Sequence, residues 1–197
     1  MLLDIVVLPP AKERRRLGAL AQRLSQDYPA RYIVDNKKLI PHVSLYHFRT
    51  SQKRLKDVEQ VMRMIVTKTG QFRIAGVALT KGQYSIGLKL QNPPALKRLN
   101  KAVLLHCASL RTGSMPNIFS EKMTKQVKQA LKDYGTVGTV INYEPHITLL
   151  ANFKSSRVKQ KRGAIGNFRV GFSVNELAIT EVNCWYQVTR VIKRFRV

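Results

Sequence analysis

Two pentapeptides of this chain are near copies: Pro41-His42-Val43-Ser44-Leu45 and Pro145-His146-Ile147-Thr148-Leu149. Each runs proline, histidine, a β-branched apolar residue, a hydroxyl residue, leucine. Side chains of an extended strand alternate between its two faces, so His42 and Ser44 point one way while Val43 and Leu45 point the other. The second copy does the same. Any fold that satisfies both copies buries an apolar row twice and presents a histidine with a hydroxyl twice. A lone His-x-Ser is ordinarily a structural feature of a strand end; the recurrence of composition, order and strand context singles this pair out.

The flanking segments supply the rest of a mixed fold. Leu2 to Leu8 is short, rich in β-branched residues and closed by Pro9-Pro10, which predicts a buried strand. From Ala11 to about Tyr28, Leu17, Leu20, Ala21 and Leu24 recur at helical spacing until Pro29. A strand is expected from Leu39 to Phe48 and a helix from about Ser51 to Thr67, closed by Gly70. Phe72–Leu79 and Tyr84–Leu90 flank Lys81-Gly82-Gln83, a hairpin signal. Helices are then expected over Ala95–Leu110 and Glu121 to about Tyr134. Strands are expected over Ile147–Phe153, Phe172–Val182 and Trp185–Val197. No linker divides the chain, which reads as one domain, 1–197.

Charge narrows the partners. The 197 residues hold 35 Lys+Arg against 11 Asp+Glu, a formal net charge of +24. A surface this basic is suited to a polyanion. The densest run is Lys154, Arg157, Lys159, Lys161 and Arg162, with Lys193, Arg194 and Arg196 at the C-terminus. Asp4 interrupts the first apolar run and no basic residues precede it, which argues against a signal peptide, and no stretch reaches the length of a membrane span. A cytoplasmic protein, monomeric and without membrane contact, is the default expectation. Cys107 and Cys184 read as free core thiols rather than a disulfide.

A histidine pair with flanking hydroxyls is what in-line displacement at phosphorus uses. One imidazole, neutral, takes a proton from the attacking oxygen; the other, protonated, gives one to the leaving oxygen. The hydroxyls donate to non-bridging phosphate oxygens. The scheme calls for no cofactor and no metal, and the His and Cys spacings give no zinc pattern.

The doubled His-x-[Ser/Thr]-Leu pattern resembles the 2H phosphoesterase superfamily, with its bacterial 2′-5′ RNA ligase and cyclic phosphodiesterase branches, over almost the whole chain. The resemblance implies an α+β, bilobal, pseudo-symmetric fold in which two antiparallel sheets face a central cleft, with helices outside. It implies His42 and His146 as the catalytic pair and Ser44 and Thr148 as phosphate-binding hydroxyls. Ser44 stands where threonine is commoner, keeping the donor and losing the methyl.

The expected function is therefore a phosphoesterase acting on RNA ends or small nucleotides: hydrolysis of a 2′,3′-cyclic phosphate, or cleavage or ligation of a 2′-5′ bond. Its rivals are a phosphodiesterase for a small cyclic nucleotide or 2′-5′ oligoadenylate, and a non-catalytic RNA-binding module. Tyr46 shares the strand parity of His42 and Ser44, so it is a candidate to line the cleft and stack on a base, with a place in the core as the alternative. Lys154 and Arg157 are candidate phosphate contacts at the rim. His47, of opposite parity, is expected to face away from the cleft. His106, Trp185 and Tyr186 are expected to be structural.

Overall fold

The computed structural model describes residues 1–116, 124–153, 163–166 and 168–197. In chain order the elements are β1 (Leu2–Val7), α1 (Ala11–Asp27), β2 (Ala30–Ile33), β3 (Val43–Arg49), α2 (Leu55–Thr67), β4 (Arg73–Lys81), β5 (Ser85–Leu90), α3 (Pro94–Cys107), α4 (Lys125–Tyr134), β6 (His146–Phe153), β7 (Gly163–Gly166), β8 (Gly171–Ser173), β9 (Glu176–Val182) and β10 (Val188–Arg196). They form two antiparallel sheets. One has the order β10-β9-β1-β3; the other runs β2-β6-β5-β4-β7, with β8 also paired to β4. The first motif strand, β3, lies against β1, and the second, β6, lies against β5.

The likeness of the halves extends to an irregularity. In β3, Ser44 opposes Val6 and Tyr46 opposes Ile5, so Leu45 is an extra residue, a β-bulge. In β6, Thr148 opposes Gly87 and Leu150 opposes Ile86, so Leu149 is bulged in the same way. A bulge leaves a carbonyl outside the ladder that still requires a donor. Asn100 of α3, buried, donates Nδ2 to the Leu45 carbonyl at 2.7 Å. The Val34 N–H donates to the Leu149 carbonyl at 3.0 Å.

Helices cover the sheets crosswise. α1 follows β1 of the first sheet yet packs on β6 and β2 of the second; α3 follows β5 of the second yet packs on β3 of the first. The amphipathic stripe expected of α1 is realised, with Leu17, Leu20 and Ala21 buried. One apolar core joins both halves, including Leu3, Ile5 and Val7 from β1 and Ile147, Leu149 and Leu150 from β6. Val6 looks the other way, into a smaller cluster with Ala178, Val182 and Val188. β1 is thus apolar on both faces except at Asp4, as a central strand requires.

Several boundaries differ from the sequence expectation for identifiable reasons. The strand expected from Leu39 starts at Val43, because Asp35 Oδ1 accepts the N–H groups of Lys37, Lys38 and Leu39 and turns that stretch into a capped loop. The strand expected over Phe172–Val182 is two, β8 on β4 and β9 on β1, so the chain changes sheet at Val174 and Asn175. The helix expected from Glu121 begins at Lys125, where Thr124 Oγ1 accepts the Val127 N–H; residues 121–123 lie outside the described residues. The strands β2 and β7 have no counterpart among the expected elements. The Lys81-Gly82-Gln83 hairpin joins β4 and β5 as expected. Both cysteines are free, but only Cys107 is a core thiol; Cys184 is exposed. Among the described residues no helix is long and apolar enough to cross a membrane.

Candidate active site

A cleft of about 220 Å³ opens between the sheets, and both motifs line it: His42 and Ser44 from one wall, His146 and Thr148 from the other. Each histidine stands where an irregular segment enters its strand, and each is held the same way. His42 Nδ1 lies 2.8 Å from the Ile40 carbonyl, and His146 Nδ1 lies 2.9 Å from the Glu144 carbonyl, two residues upstream in both cases. A carbonyl only accepts, so Nδ1 carries the hydrogen and Nε2 remains for chemistry.

The half-sites differ in burial. His42 is 5% exposed, whereas His146 is exposed. Desolvation pushes the His42 imidazole below its ordinary value of 6.5, and this outweighs the opposing pull of the Asp4 carboxylate and the Ile40 carbonyl. His47 and His146 are near enough that their charge further opposes protonation of His42.

The hydroxyls differ too. Ser44 Oγ donates to Asp4 Oδ2 at 2.6 Å. The Thr148 hydroxyl makes no side-chain hydrogen bond among the described residues and lines the cleft, open to an incoming acceptor. Ser44 is further fixed through its backbone, whose carbonyl accepts from the Tyr143 hydroxyl at 2.9 Å. Burial, with the nearby Asp4 charge, pushes the Tyr143 phenol far above its ordinary range, so it acts as a neutral donor.

In β3 the structure decides the alternative left open for Tyr46 and corrects the expectation for His47, and the Leu45 bulge is the reason for both. The extra residue reverses the alternation beyond it. Tyr46, a candidate base-stacking residue, turns into the core: it is fully buried, stacks on Phe48 at 4.9 Å and donates to the Tyr134 carbonyl. His47, expected to face away, turns into the cleft, with Nε2 3.1 Å from Asp4 Oδ2. Asp4 joins the site as a residue that motif reasoning passes over. Its signal in the sequence is physical: an aspartate at the centre of an otherwise apolar strand is a buried charge in need of partners.

Trp185 and Tyr186 also line the cleft rather than the core of a last strand. They lie in the β9–β10 turn, where Asn183 Oδ1 accepts the N–H groups of Trp185 and Gln187 and Tyr186 adopts a left-handed φ of 59°. The Tyr186 ring covers His47 at 4.8 Å, and Trp185 reaches Tyr32 on the opposite sheet at 6.0 Å. His106 is exposed near the end of α3, away from the cleft. Lys154 and Arg157 lie outside the described residues.

Comparison with known proteins places the fold. The chain matches no family model, and no curated protein matches it. Solved structures do match. TT0787 of Thermus thermophilus aligns with a TM-score of 0.64 at 17% identity over 100% of this chain and 97% of that one. E. coli LigT complexed with 3′-AMP aligns with a TM-score of 0.59 at 15% identity over 99% of this chain and 97% of that one. LigT complexed with phosphate gives a TM-score of 0.52 at 15% identity over 99% and 96%. The fold that the doubled motif implies is met in three dimensions: this chain has the LigT-like α+β fold, with two antiparallel sheets and four helices among the described residues.

Proposed function

We propose that the chain is a phosphoesterase for RNA-derived substrates, opening 2′,3′-cyclic phosphate ends or cleaving or joining 2′-5′ phosphodiester bonds. The observation that carries this reading is the pair of motif histidines on opposite walls of one cleft, each with Nδ1 fixed to a carbonyl and Nε2 left for chemistry. In hydrolysis of a cyclic phosphate, His42, kept neutral by burial, takes a proton from water as the water oxygen bonds to phosphorus. His146 gives its proton to the ribose oxygen as the P–O bond of the ring breaks, leaving a phosphomonoester and a free hydroxyl. In the reverse direction the two roles exchange. Thr148 donates to a non-bridging oxygen.

The fold shared with LigT, whose crystal structures include complexes with 3′-AMP, NADP+, ATP and phosphate, supports a nucleotide-sized ligand here. The net charge of +24 favours a longer RNA over a free mononucleotide.

The test is turnover, in EDTA, of an RNA oligonucleotide ending in a 2′,3′-cyclic phosphate, by wild type, His42→Ala and His146→Ala. Ring opening lost in both variants is the expected result. Wild-type inactivity on this substrate, on 2′-5′-linked RNA and on small cyclic nucleotides, together with RNA binding unchanged in both variants, would replace the enzyme by a binding module.

A further inference from the structure

The two half-sites share one ladder register, and at one matched rung the first carries two ionisable residues where the second carries none. In the first half Ser44 opposes Val6 and His47 opposes Asp4. In the second Thr148 opposes Gly87 and Ala151 opposes Ser85. Asp4 and His47 thus occupy the places that Ser85 and Ala151 hold across the cleft, and both of those also line it. The fold is built without an acid and a third histidine on one side, so their presence on the other calls for a separate account.

Asp4 is fully buried, and its Oδ1 has no hydrogen-bond partner among the described residues. A carboxylate in that position requires a compensating charge. The groups that face it are the Ser44 hydroxyl on Oδ2 at 2.6 Å, the neutral Tyr143 phenol, His42 Nε2 at 3.7 Å and His47 Nε2 at 3.1 Å. The groups within ion-pair reach that carry a positive charge when protonated, among the described residues, are those two imidazoles. His47 is the nearer, and although its N–H is not aligned for a hydrogen bond, an ion pair depends on distance rather than alignment.

We propose that Asp4 and His47 are positioning residues for His42, forming a buried carboxylate–imidazolium pair in which His47 balances the Asp4 charge and leaves His42 as the uncharged base. The assignment rests on the phosphoesterase reading for its catalytic meaning and on the geometry alone for the pair itself. Without His47 the Asp4 charge would draw a proton onto His42, and both motif histidines would then be acids. Without Asp4 the His47 cation would oppose protonation of His42 more strongly. Among the described residues, the other titratable groups lining the cleft are His146 on the facing strand, the exposed Glu144 carboxylate and the phenols of Tyr84 and Tyr186, the last with its ring over His47.

The test converts the first half-site to the residues of the second. His42 is titrated by imidazole nitrogen NMR in wild type, Asp4→Ser, His47→Ala and the double variant, with kcat/KM measured against pH on the cyclic-phosphate RNA. The His42 midpoint, and with it the acid limb of the rate profile, moves to lower pH in Asp4→Ser and to higher pH in His47→Ala, and the double variant lies between them. Should Asp4→Ser fail to fold, the upward shift in His47→Ala and in His47→Gln carries the same conclusion. No shift, or a downward shift, on removing His47 overturns the pair. The NMR result is independent of turnover: opposite shifts in a protein that cleaves nothing would uphold the pair and remove the phosphoesterase reading.

Discussion

Ser44 and His47, on either side of the bulged Leu45, meet the same carboxylate oxygen, Asp4 Oδ2, at 2.6 and 3.1 Å. The first motif hydroxyl is therefore tied down within the protein, while its counterpart Thr148 is not. Unlike consequences are expected from removing them. Thr148→Val, nearly isosteric, should lower turnover about 100-fold with little change in unfolding free energy, as for loss of one transition-state donor. Ser44→Ala takes the hydrogen-bond donor from a buried carboxylate and should cost about 1–3 kcal/mol of stability. Urea unfolding alongside kinetics distinguishes the two, and equal effects of both variants on both measurements would contradict the asymmetry.

Loss of either motif histidine is expected to reduce kcat about 100- to 10,000-fold, the usual range for a general acid or base. His146, on the exposed side, should be replaceable by alanine with the melting temperature almost unchanged. His42→Ala, which opens a space in a buried wall, should lower it. An active His42→Ala protein would remove that residue from the mechanism.

Acid should weaken the fold through His42. Burial holds its folded-state value below the 6.5 of the unfolded chain, so below about pH 6.5 the unfolded chain binds more protons and stability falls with pH until the folded imidazole also titrates. His42→Gln, which cannot take up that proton, should show a flatter dependence as the pH falls below about 6.5. Chemical denaturation at a series of pH values measures this, and parallel curves for the two proteins would argue against it.

Asn100 supports the site from behind. Its side chain satisfies the Leu45 carbonyl that the bulge frees, and also reaches the Thr139 carbonyl at 3.1 Å. Asn100→Leu should lose about 1–3 kcal/mol by leaving buried carbonyls without a donor. Because the bulge decides which face His47 occupies, the same variant should alter the His47 imidazole resonances.

The residues that line the cleft from the two motifs are more legible in the sequence than the local geometry around them. The doubled motif locates both histidines and both hydroxyls of the cleft, because strand alternation holds from His42 to Ser44 and from His146 to Thr148. Alternation fails one residue later. A bulge is set by tertiary partners, here Asn100 for Leu45 and Val34 for Leu149, and no local pattern in Ser44-Leu45-Tyr46-His47 announces it. Tyr46 consequently takes the core place that parity alone does not favour, and His47 faces the cleft against expectation. β2 is four residues long with an arginine at its centre and is a strand because β6 lends it an edge. Trp185 and Tyr186 read as strand residues because aromatic content suggests one, whereas Asn183 turns the chain there. Asp4 is visible in the sequence as an interruption of an apolar run, but its histidine partners emerge only once the bulge has turned His47 inward.

The crosswise covering of the sheets sets how the molecule can come apart. Each motif strand is roofed by a helix that leaves the opposite sheet, α3 over β3 and α1 over β6. Cutting the chain between β4 and β5 would strip α3 from β3 and α1 from β6 at once, so neither fragment would keep its motif strand covered. The halves are clasped like interlaced fingers, and the distance across the cleft is set by shared packing instead of by a hinge. Mixed fragments should regain the native spectrum only when both are present, and a substrate would meet a gap whose width is already fixed when it arrives.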